Sequence, residues 1–454
     1  MPVGPVRHGR HVWARGGWSL GVRLSAAIVL FCVGAPVAAQ PEAPPSIDVS
    51  IEEASGLAAR WLSEGNLEQA ERILGLLRKA DPDDPQVLFL EGQLALQKRD
   101  YPEAVRIFRG LLTRNPSLTR VRLELARALF LAQDYDAARY HFELVLGGDL
   151  PEGARDNVFA YLRAIYARTT RFNLTAVIGP DSNPTFATSA QTIQIGGNSY
   201  ILNPDARARS AIGLVALAQG RFVFGEENRN FVRAAAEVRQ FPGSYADFGY
   251  LEATLGRSFV TGESIWTTEA GPLGSQYQDR ELYRGALVRL THARPIGERF
   301  LSQAFASWRR LDYNQRFDYL SGNQGWLGTT LRYAIDPTSG TWISAALGIN
   351  DAAERPYSYD AVEGAIGYVK ELPSRLNAQV RVAASRVGYD AADPLFGVVR
   401  VDRLVRVDVE LTARNWSFHG FAPMLLAGAS WNDSSIPIYT YRRNYVSVGI
   451  TREF

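Results

Sequence analysis

The sequence predicts an α plus membrane-β protein: an N-terminal α-solenoid of about three helical repeats, then a 14-stranded antiparallel transmembrane β-barrel. Three observations predict it. Residues of matching type recur every 34 positions in the N-terminal part. After Arg171 the helical period gives way to strict alternation. The links between the alternating segments are short and long by turns. The expected division is an export leader over 1–39, a linker over 40–50, helical repeats over 51–167 and a barrel over 171–454.

The leader is read from Arg7, Arg10, Arg15 and Arg23, followed by an apolar run from Leu24 to Val37. Val37-Ala38-Ala39 offers the small residues that signal peptidase accepts, so cleavage is expected before Gln40. The run is short for a membrane-spanning helix, which takes about 20 apolar residues. Cys32 is the only cysteine, and Phe31 before it does not fit a lipoprotein leader. A cleaved chain then has no thiol for a disulfide, a metal site or a nucleophile. Lys plus Arg number 49 against 47 acids, so no basic surface argues for nucleic acid.

The repeat is visible at several positions in one register. Ala70, Ala104 and Ala138 are 34 apart, as are Ala58, Gly92 and Ala126, and Leu74, Phe108 and Phe142. Asn66, Asp100 and Asp134 mark the turns, followed by Leu67, Tyr101 and Tyr135. Pro82 and Pro116 close two units, and Pro151 is expected to close the third one residue late. Small residues where paired helices cross, and a proline that cannot continue a helix, make this the tetratricopeptide (TPR) pattern. Residues 152–167 read as a capping helix. The first helix of each unit would line a concave face able to bind an extended peptide. By register that face includes Phe89, Gln93, Gln97, Arg120, Leu123, Arg127 and Phe130, although these types also suit ordinary packing and surface positions.

Alternation carries the rest of the chain. Leu376, Ala378, Val380, Val382 and Ala384 alternate with Asn377, Gln379, Arg381 and Ser385. Val405, Val407, Val409 and Leu411 alternate with Arg406, Asp408, Glu410 and Thr412. Successive strand residues face opposite ways, which gives one apolar and one charged side. Arg233, Glu237, Arg239, Arg406, Asp408, Glu410 and Arg414 are the expected lumen charges. Segments are expected to begin at 171, 206, 229, 247, 263, 281, 299, 324, 341, 361, 375, 402, 420 and 442. Short links at 225–228, 261–262, 295–297, 336–340, 373–374 and near His419 fit periplasmic turns. Longer ones at 179–205, 312–323, 350–360, 389–401 and 432–441 fit external loops. Val446, Val448, Ile450 and Phe454 resemble the terminal signal by which barrels are recognised for assembly, with Arg452 interrupting the row. Trp266, Trp308, Trp326, Trp342, Trp416 and Trp431 fall in the barrel region, and many tyrosines lie near the strand ends, as interfacial girdles require.

Nothing points to catalysis, a cofactor or a metal. His141, His292 and His419 have no partner at metal-ligand spacing. The His-x-Ser arrangement of outer-membrane phospholipase is absent, since His292 leads to Arg294 and His419 to Phe421. Lumen carboxylates have arginines nearby, as in a neutralised, hydrated wall.

After the first strand comes Asp181-Ser182-Asn183, and later Gly196, Gly197 and Tyr200 run into Leu202-Asn203-Pro204. The first triplet suits an Asx or Ser/Thr turn. It also resembles a segment at the start of the barrel in the surface lipoprotein assembly modulator (Slam) family, and the later run resembles that family too. Leader, short TPR array and barrel resemble the same family over nearly the whole chain. The resemblance implies an outer-membrane protein of Gram-negative bacteria with its TPR domain in the periplasm. Its clients would be surface lipoproteins or released proteins, captured by the repeats and passed through the barrel. The outer-membrane bilayer, the barrel assembly machinery and periplasmic chaperones are the further partners implied, and a monomer is expected. A polysaccharide-export porin, or a TPR-tethered structural or passive barrel, are the alternative readings.

Overall fold

A computed structural model describes residues 50–372 and 376–452. The expected leader, most of the linker, the turn at Pro373-Ser374 and the terminal Phe454 lie outside the described residues.

Seven helices come first: α1 (Ile51–Ser63), α2 (Leu67–Ala80), α3 (Pro85–Gln97), α4 (Tyr101–Arg114), α5 (Thr119–Leu131), α6 (Tyr135–Val145) and α7 (Glu152–Arg168). They match the TPR pattern helix for helix. The small repeat positions Ala58, Ala70, Ala104, Ala126 and Ala138 are all fully buried, as close helix crossing requires. Asp100 and Asp134 accept from the backbone N–H three residues on, at 3.2 and 3.4 Å, and so cap α4 and α6. Just before these turns, Gly65, Arg99 and Gln133 all take a left-handed φ, of 78°, 63° and 63°. Asp81 and Asn115, which precede Pro82 and Pro116, are extended, which ends α2 and α4. The third unit differs from expectation. There α6 ends at Val145, and Pro151 instead leads into α7. Residues up to Lys98 form one compact unit, and residues from Arg99 onward, barrel included, form another.

The barrel strands are β1 (Arg171–Asp181), β4 (Ala211–Phe224), β5 (Asn230–Gln240), β6 (Phe248–Thr261), β7 (Ser264–Tyr277), β8 (Arg280–Ile296), β9 (Phe300–Tyr313), β10 (Gly322–Asp336), β11 (Ser339–Ala352), β12 (Tyr359–Leu372), β13 (Leu376–Ala392), β14 (Val399–Ala413), β15 (Ala422–Ser434) and β16 (Tyr441–Thr451). Between β1 and β4 lies a small hairpin of β2 (Thr192–Ile195) and β3 (Asn198–Ile201), turned by Gly196-Gly197 at positive φ. The fourteen antiparallel strands close on themselves, with β1 pairing both β4 and β16. Expected starts fall within three residues of these bounds, except 206. There a short helical turn over Pro204–Ala206 and an Arg/Ala-rich run precede the strand.

Alternation places aliphatic side chains on the outside. Leu251, Leu255, Leu327, Ile343, Leu347, Val362 and Ile366 are each more than half exposed. Such a band has no soluble counterpart and belongs in hydrocarbon. Aromatic side chains edge it: Phe172, Phe222, Phe224, Phe259 and Trp266 near the short turns, Trp308 and Trp431 near the long loops. Trp326 and Trp342 are not part of this edge. They point into the barrel over Gly348 and Gly367, where a Cβ would lie 2.7 and 2.3 Å from their rings. Glycine on one strand gives the neighbouring aromatic its space.

Candidate functional site

The periplasmic end of the barrel, marked by the short turns, is where helices and wall meet. Helix α7 lies against β6 and β7, and α6 lies against β10. Around the same ring, polar side chains pin the helices to the wall. Arg122 of α5 is fully buried, and its Nη1 donates to Glu371 Oε2 of β12 at 2.6 Å. The same guanidinium donates to Pro116 O at 2.8 Å and stands 3.1 Å from His141 Nδ1, which must then be the lone-pair nitrogen. Tyr140 of α6 donates to Asn377 Oδ1 of β13 at 3.0 Å, under the Arg414 guanidinium 3.5 Å from its ring. Burial pushes the Tyr140 hydroxyl up to about 12, so it remains a donor across the physiological range.

On the other side, Arg155 of α7 reaches Glu298 in the β8–β9 turn at 2.9 Å. Arg221 of β4 donates to Ala167 O at 3.1 Å and to Ser258 Oγ at 2.8 Å. The loop between α6 and α7 is as tight. A Cβ on Gly147 would meet the Asp336 backbone at 2.7 Å, and one on Gly148 would meet the Thr119 hydroxyl at 2.4 Å. Asp336 is itself fixed by Thr338, Ser339 and Lys370. Contacts at β4, β6, β7, β10, β12 and β13 run around most of the ring, so α5–α7 lie across the mouth.

Above this cap, the lumen wall carries paired charge. Arg233 of β5 bonds Glu252 of β6 and, at 2.9 Å, Glu269 of β7; Arg289 of β8 bonds Glu269 at 2.6 Å. Tyr250 and Thr254 donate to the same two carboxylates. Arg239 donates to Glu237 at 2.6 Å, Arg406 to Asp408 at 2.9 Å and Thr412 to Glu410 at 3.0 Å. Of the expected lumen charges, Arg414 is misplaced: it sits in the β14–β15 turn, where it covers Tyr140 of the cap.

The expected peptide-binding face is only partly open. Phe89 is 7% exposed, and Gln97 uses its amide to donate to Leu62 O at 3.0 Å. Phe130 packs edge-on against Tyr135 and Tyr161, because α7 covers the end of the array. Phe89 and Phe130 are packing residues, whereas Gln97 is exposed with its amide held by α1. Arg120 and Arg127 are exposed, while Gln93 and Leu123 are half-buried. The expected assembly residues Val446, Val448 and Ile450 face outward, each between 45% and 56% exposed.

Sequence reasoning missed Glu252, Glu269 and Arg289, although alternation around Leu251, Ala253 and Leu255 gives the facing of Glu252. It also missed Arg122 and Glu371, which are 249 residues apart and carry no shared local signal. Asp181, Ser182 and Asn183 were singled out as a loop. Asp181 instead ends β1 facing inward, and all three bond to β16: Asp181 to Arg443, Ser182 to Asn444 and Asn183 to Arg442 O.

Comparison with known proteins agrees with this architecture. The model of the surface lipoprotein assembly modifier matches residues 267–454, and that of the family's N-terminal TPR repeats matches 55–142. Surface lipoprotein assembly modifier 1 of Haemophilus influenzae is 21% identical over 414 residues, 86% of this chain and 82% of that protein. The surface lipoprotein assembly modifier of Moraxella catarrhalis is 23% identical over 376 residues, 79% of this chain and 71% of its own. Among solved structures, a Pseudomonas aeruginosa FadL homologue aligns with 70% of this chain and 94% of its own at 8% identity, with a TM-score of 0.39. A TPR array and a closed, lipid-facing barrel, each matched by its own model, place the chain in the outer membrane and in the surface lipoprotein assembly modifier family.

Proposed function

We propose that this chain is a translocator that captures client proteins, lipoproteins among them, in the periplasm and delivers them to the cell surface or medium through its barrel. The observation that carries the reading is the cap: helices of the repeat array lie across the barrel mouth and are fastened there by Arg122–Glu371 and Arg155–Glu298. A client held by the repeats is thereby held beside the entrance, which raises its local concentration there. The exposed Arg120 and Arg127, with Leu123, are the side chains we assign to client contact. Passage requires α5–α7 to leave the mouth. The mixed charges of the lumen suit hydrated polypeptide of varied sequence, because those named above are engaged with neighbours in the wall. Residues 1–39 serve as the export leader in this reading, and the barrel assembly machinery and periplasmic chaperones as accessory partners.

The test is surface proteomics of the host with and without the gene, by protease shaving and analysis of the medium. Loss of one or two specific proteins from the surface, with accumulation in the periplasm, is expected. An unchanged surface and medium would overturn the reading.

A further inference from the structure

The wall is not equally fastened all the way round. Among the described residues, β1 and β16 share five ladder pairs, from Thr175↔Thr451 to Asp181↔Tyr445. Every other neighbouring pair of barrel strands shares ten or more. The ladder also breaks in the middle, jumping from Ile178↔Val448 to Asp181↔Tyr445. The residues skipped are Gly179 and Pro180.

Elementary backbone geometry accounts for the break. Leu174 O accepts from Arg452 N at 2.8 Å, and Ser182 N donates to Asn444 O at 2.9 Å, so the even-numbered residues of β1 turn their polar groups toward β16. Alternate residues of a strand share that direction. Pro180 therefore faces β16 with no N–H to donate. A Cβ on Gly179 would lie 2.0 Å from Val446 O, so the backbones cross too closely there for any side chain. Gly271-Pro272 makes a similar gap between β6 and β7. That gap has unbroken ladder on both sides and is bridged by the Arg233–Glu252 and Arg233–Glu269 pairs. The β1–β16 gap has four consecutive pairs on its periplasmic side, and only Asp181↔Tyr445 and the Ser182 N–Asn444 O bond beyond it.

Side chains fasten this seam instead. The Asp181 carboxylate, 5% exposed, accepts from Arg443 Nε at 2.9 Å and Nη2 at 2.6 Å. Ser182 Oγ accepts from Asn444 N at 2.8 Å, and Asn183, 1% exposed, donates to Arg442 O at 3.1 Å. Arg443 also lies over the Phe186 ring, which meets Tyr441 edge-on. At the periplasmic end the Thr175 and Thr451 hydroxyls are 2.9 Å apart. Outside the seam Ile178, Val446 and Val448 face lipid, and inside it lie Asp181, Arg443 and Tyr445. A gap here would join a charged lumen directly to hydrocarbon.

We propose that the β1–β16 seam is a lateral gate, latched at its outer end by Asp181-Ser182-Asn183, through which the acyl chains of a lipoprotein client pass from the lumen into the outer leaflet. The proposal rests on the translocator reading above. An acyl chain gains nothing among the lumen charges and regains its burial only by crossing the wall. A polypeptide without acyl chains has no need of that exit. The seam thus separates the two kinds of client by chemistry.

Two measurements test it. In the first, the full chain with Cys32→Ser carries nitroxides at Ile178→Cys and Val448→Cys, across the seam. A second sample carries them at Ile343→Cys and Ile366→Cys, across the unbroken β11–β12 ladder. Both are placed in vesicles of phosphatidylethanolamine and phosphatidylglycerol, and label distances are measured. The expected result is a second, longer distance at the seam only, its share rising severalfold with Asp181→Asn or Asn183→Ala while heat-modified migration shows the barrel still folded. One distance at both sites, indifferent to the latch, would overturn the gate. In the second, Thr175→Cys and Thr451→Cys lock the seam by a disulfide in cells. Oxidation is expected to abolish surface delivery of the lipoproteins that the gene deletion removes, with recovery on reduction and with soluble clients still released. Undiminished lipoprotein delivery through a locked seam would overturn the acyl exit. If the deletion removes no protein, the translocator reading and its acyl cargo fail together, and the label distances alone decide whether the seam opens.

Discussion

Replacing Arg122 by Leu is expected to loosen the cap more than any other single side-chain change in α5–α7. Arg122 is fully buried and the side chain of Glu371 is 9% exposed, so removing the guanidinium leaves a carboxylate nearly without water. Breaking a buried pair from one side costs about 3–5 kcal/mol. At roughly 1.4 kcal/mol per decade, that lowers the docked-to-undocked ratio of the helices by about two to three and a half decades. Hydrogen exchange of the α5–α7 amides in vesicles reads this ratio directly, because protection reports local opening. Glu371→Leu should have a similar cost. The double change Arg122→Leu with Glu371→Leu should cost far less than the sum, because no charge is then stranded. Two single effects that simply add would refute the pairing. A change in exchange of less than about tenfold in Arg122→Leu would refute the claim that the pair holds the cap.

Gly147→Val should undock the same helices without touching a charge, since its Cβ meets the Asp336 backbone, which cannot swing aside; faster exchange in α6 and α7 with an intact barrel checks it. Glu269→Gln removes the carboxylate that both Arg233 and Arg289 contact, and should lower the temperature of heat-modified migration on gels. Burial raises the pKa of Glu124 on α5, against the pull of Arg127 and Arg120. A raised carboxylate pKa means that the folded chain binds more protons than the unfolded one between the ordinary value and the raised one, so stability falls as pH rises through that window. Glu124→Gln should therefore raise the melting temperature at neutral pH, with the gain shrinking toward acid.

The architecture was legible because two periods, 34 and two, each set the packing of many residues. Ala70, Ala104 and Ala138 could be read as crossing points without coordinates, and they are fully buried. Strand facing was equally readable where one side is charged, as at Val405–Leu411. It was not readable at Trp326, because Leu327, Thr329 and Leu331 on one side and Trp326, Gly328 and Thr330 on the other are both largely uncharged. The left-handed turn positions were hidden because two of the three are Arg99 and Gln133, where glycine would have signalled the conformation. Asp181-Ser182-Asn183 stood out as a motif, yet its partners Arg442, Arg443 and Asn444 lie about 260 residues on and are brought beside it only by closure of the ring. Short-range pattern fixes elements, whereas closure and capping depend on pairs that have no local spacing.

That difference has an energetic counterpart in the cap. Within α5–α7 and their loops, Leu125, Leu129, Phe142, Leu146 and Ile165 are less than 2% exposed, so the helices hold one another through apolar burial. Their named links to the wall are mostly ion pairs and hydrogen bonds: Arg122–Glu371, Tyr140–Asn377, Arg155–Glu298 and Arg221–Ala167. A buried ion pair returns little net stability over its separated, rehydrated partners, because desolvation offsets most of the attraction. Apolar burial has no such offset, since exposing it to water is uniformly unfavourable. Separation of cap from wall is therefore the cheaper motion, and melting of the cap the dearer one. A rigid helical lid that leaves the mouth as one body follows from where the sequence puts its charges and where it puts its leucines.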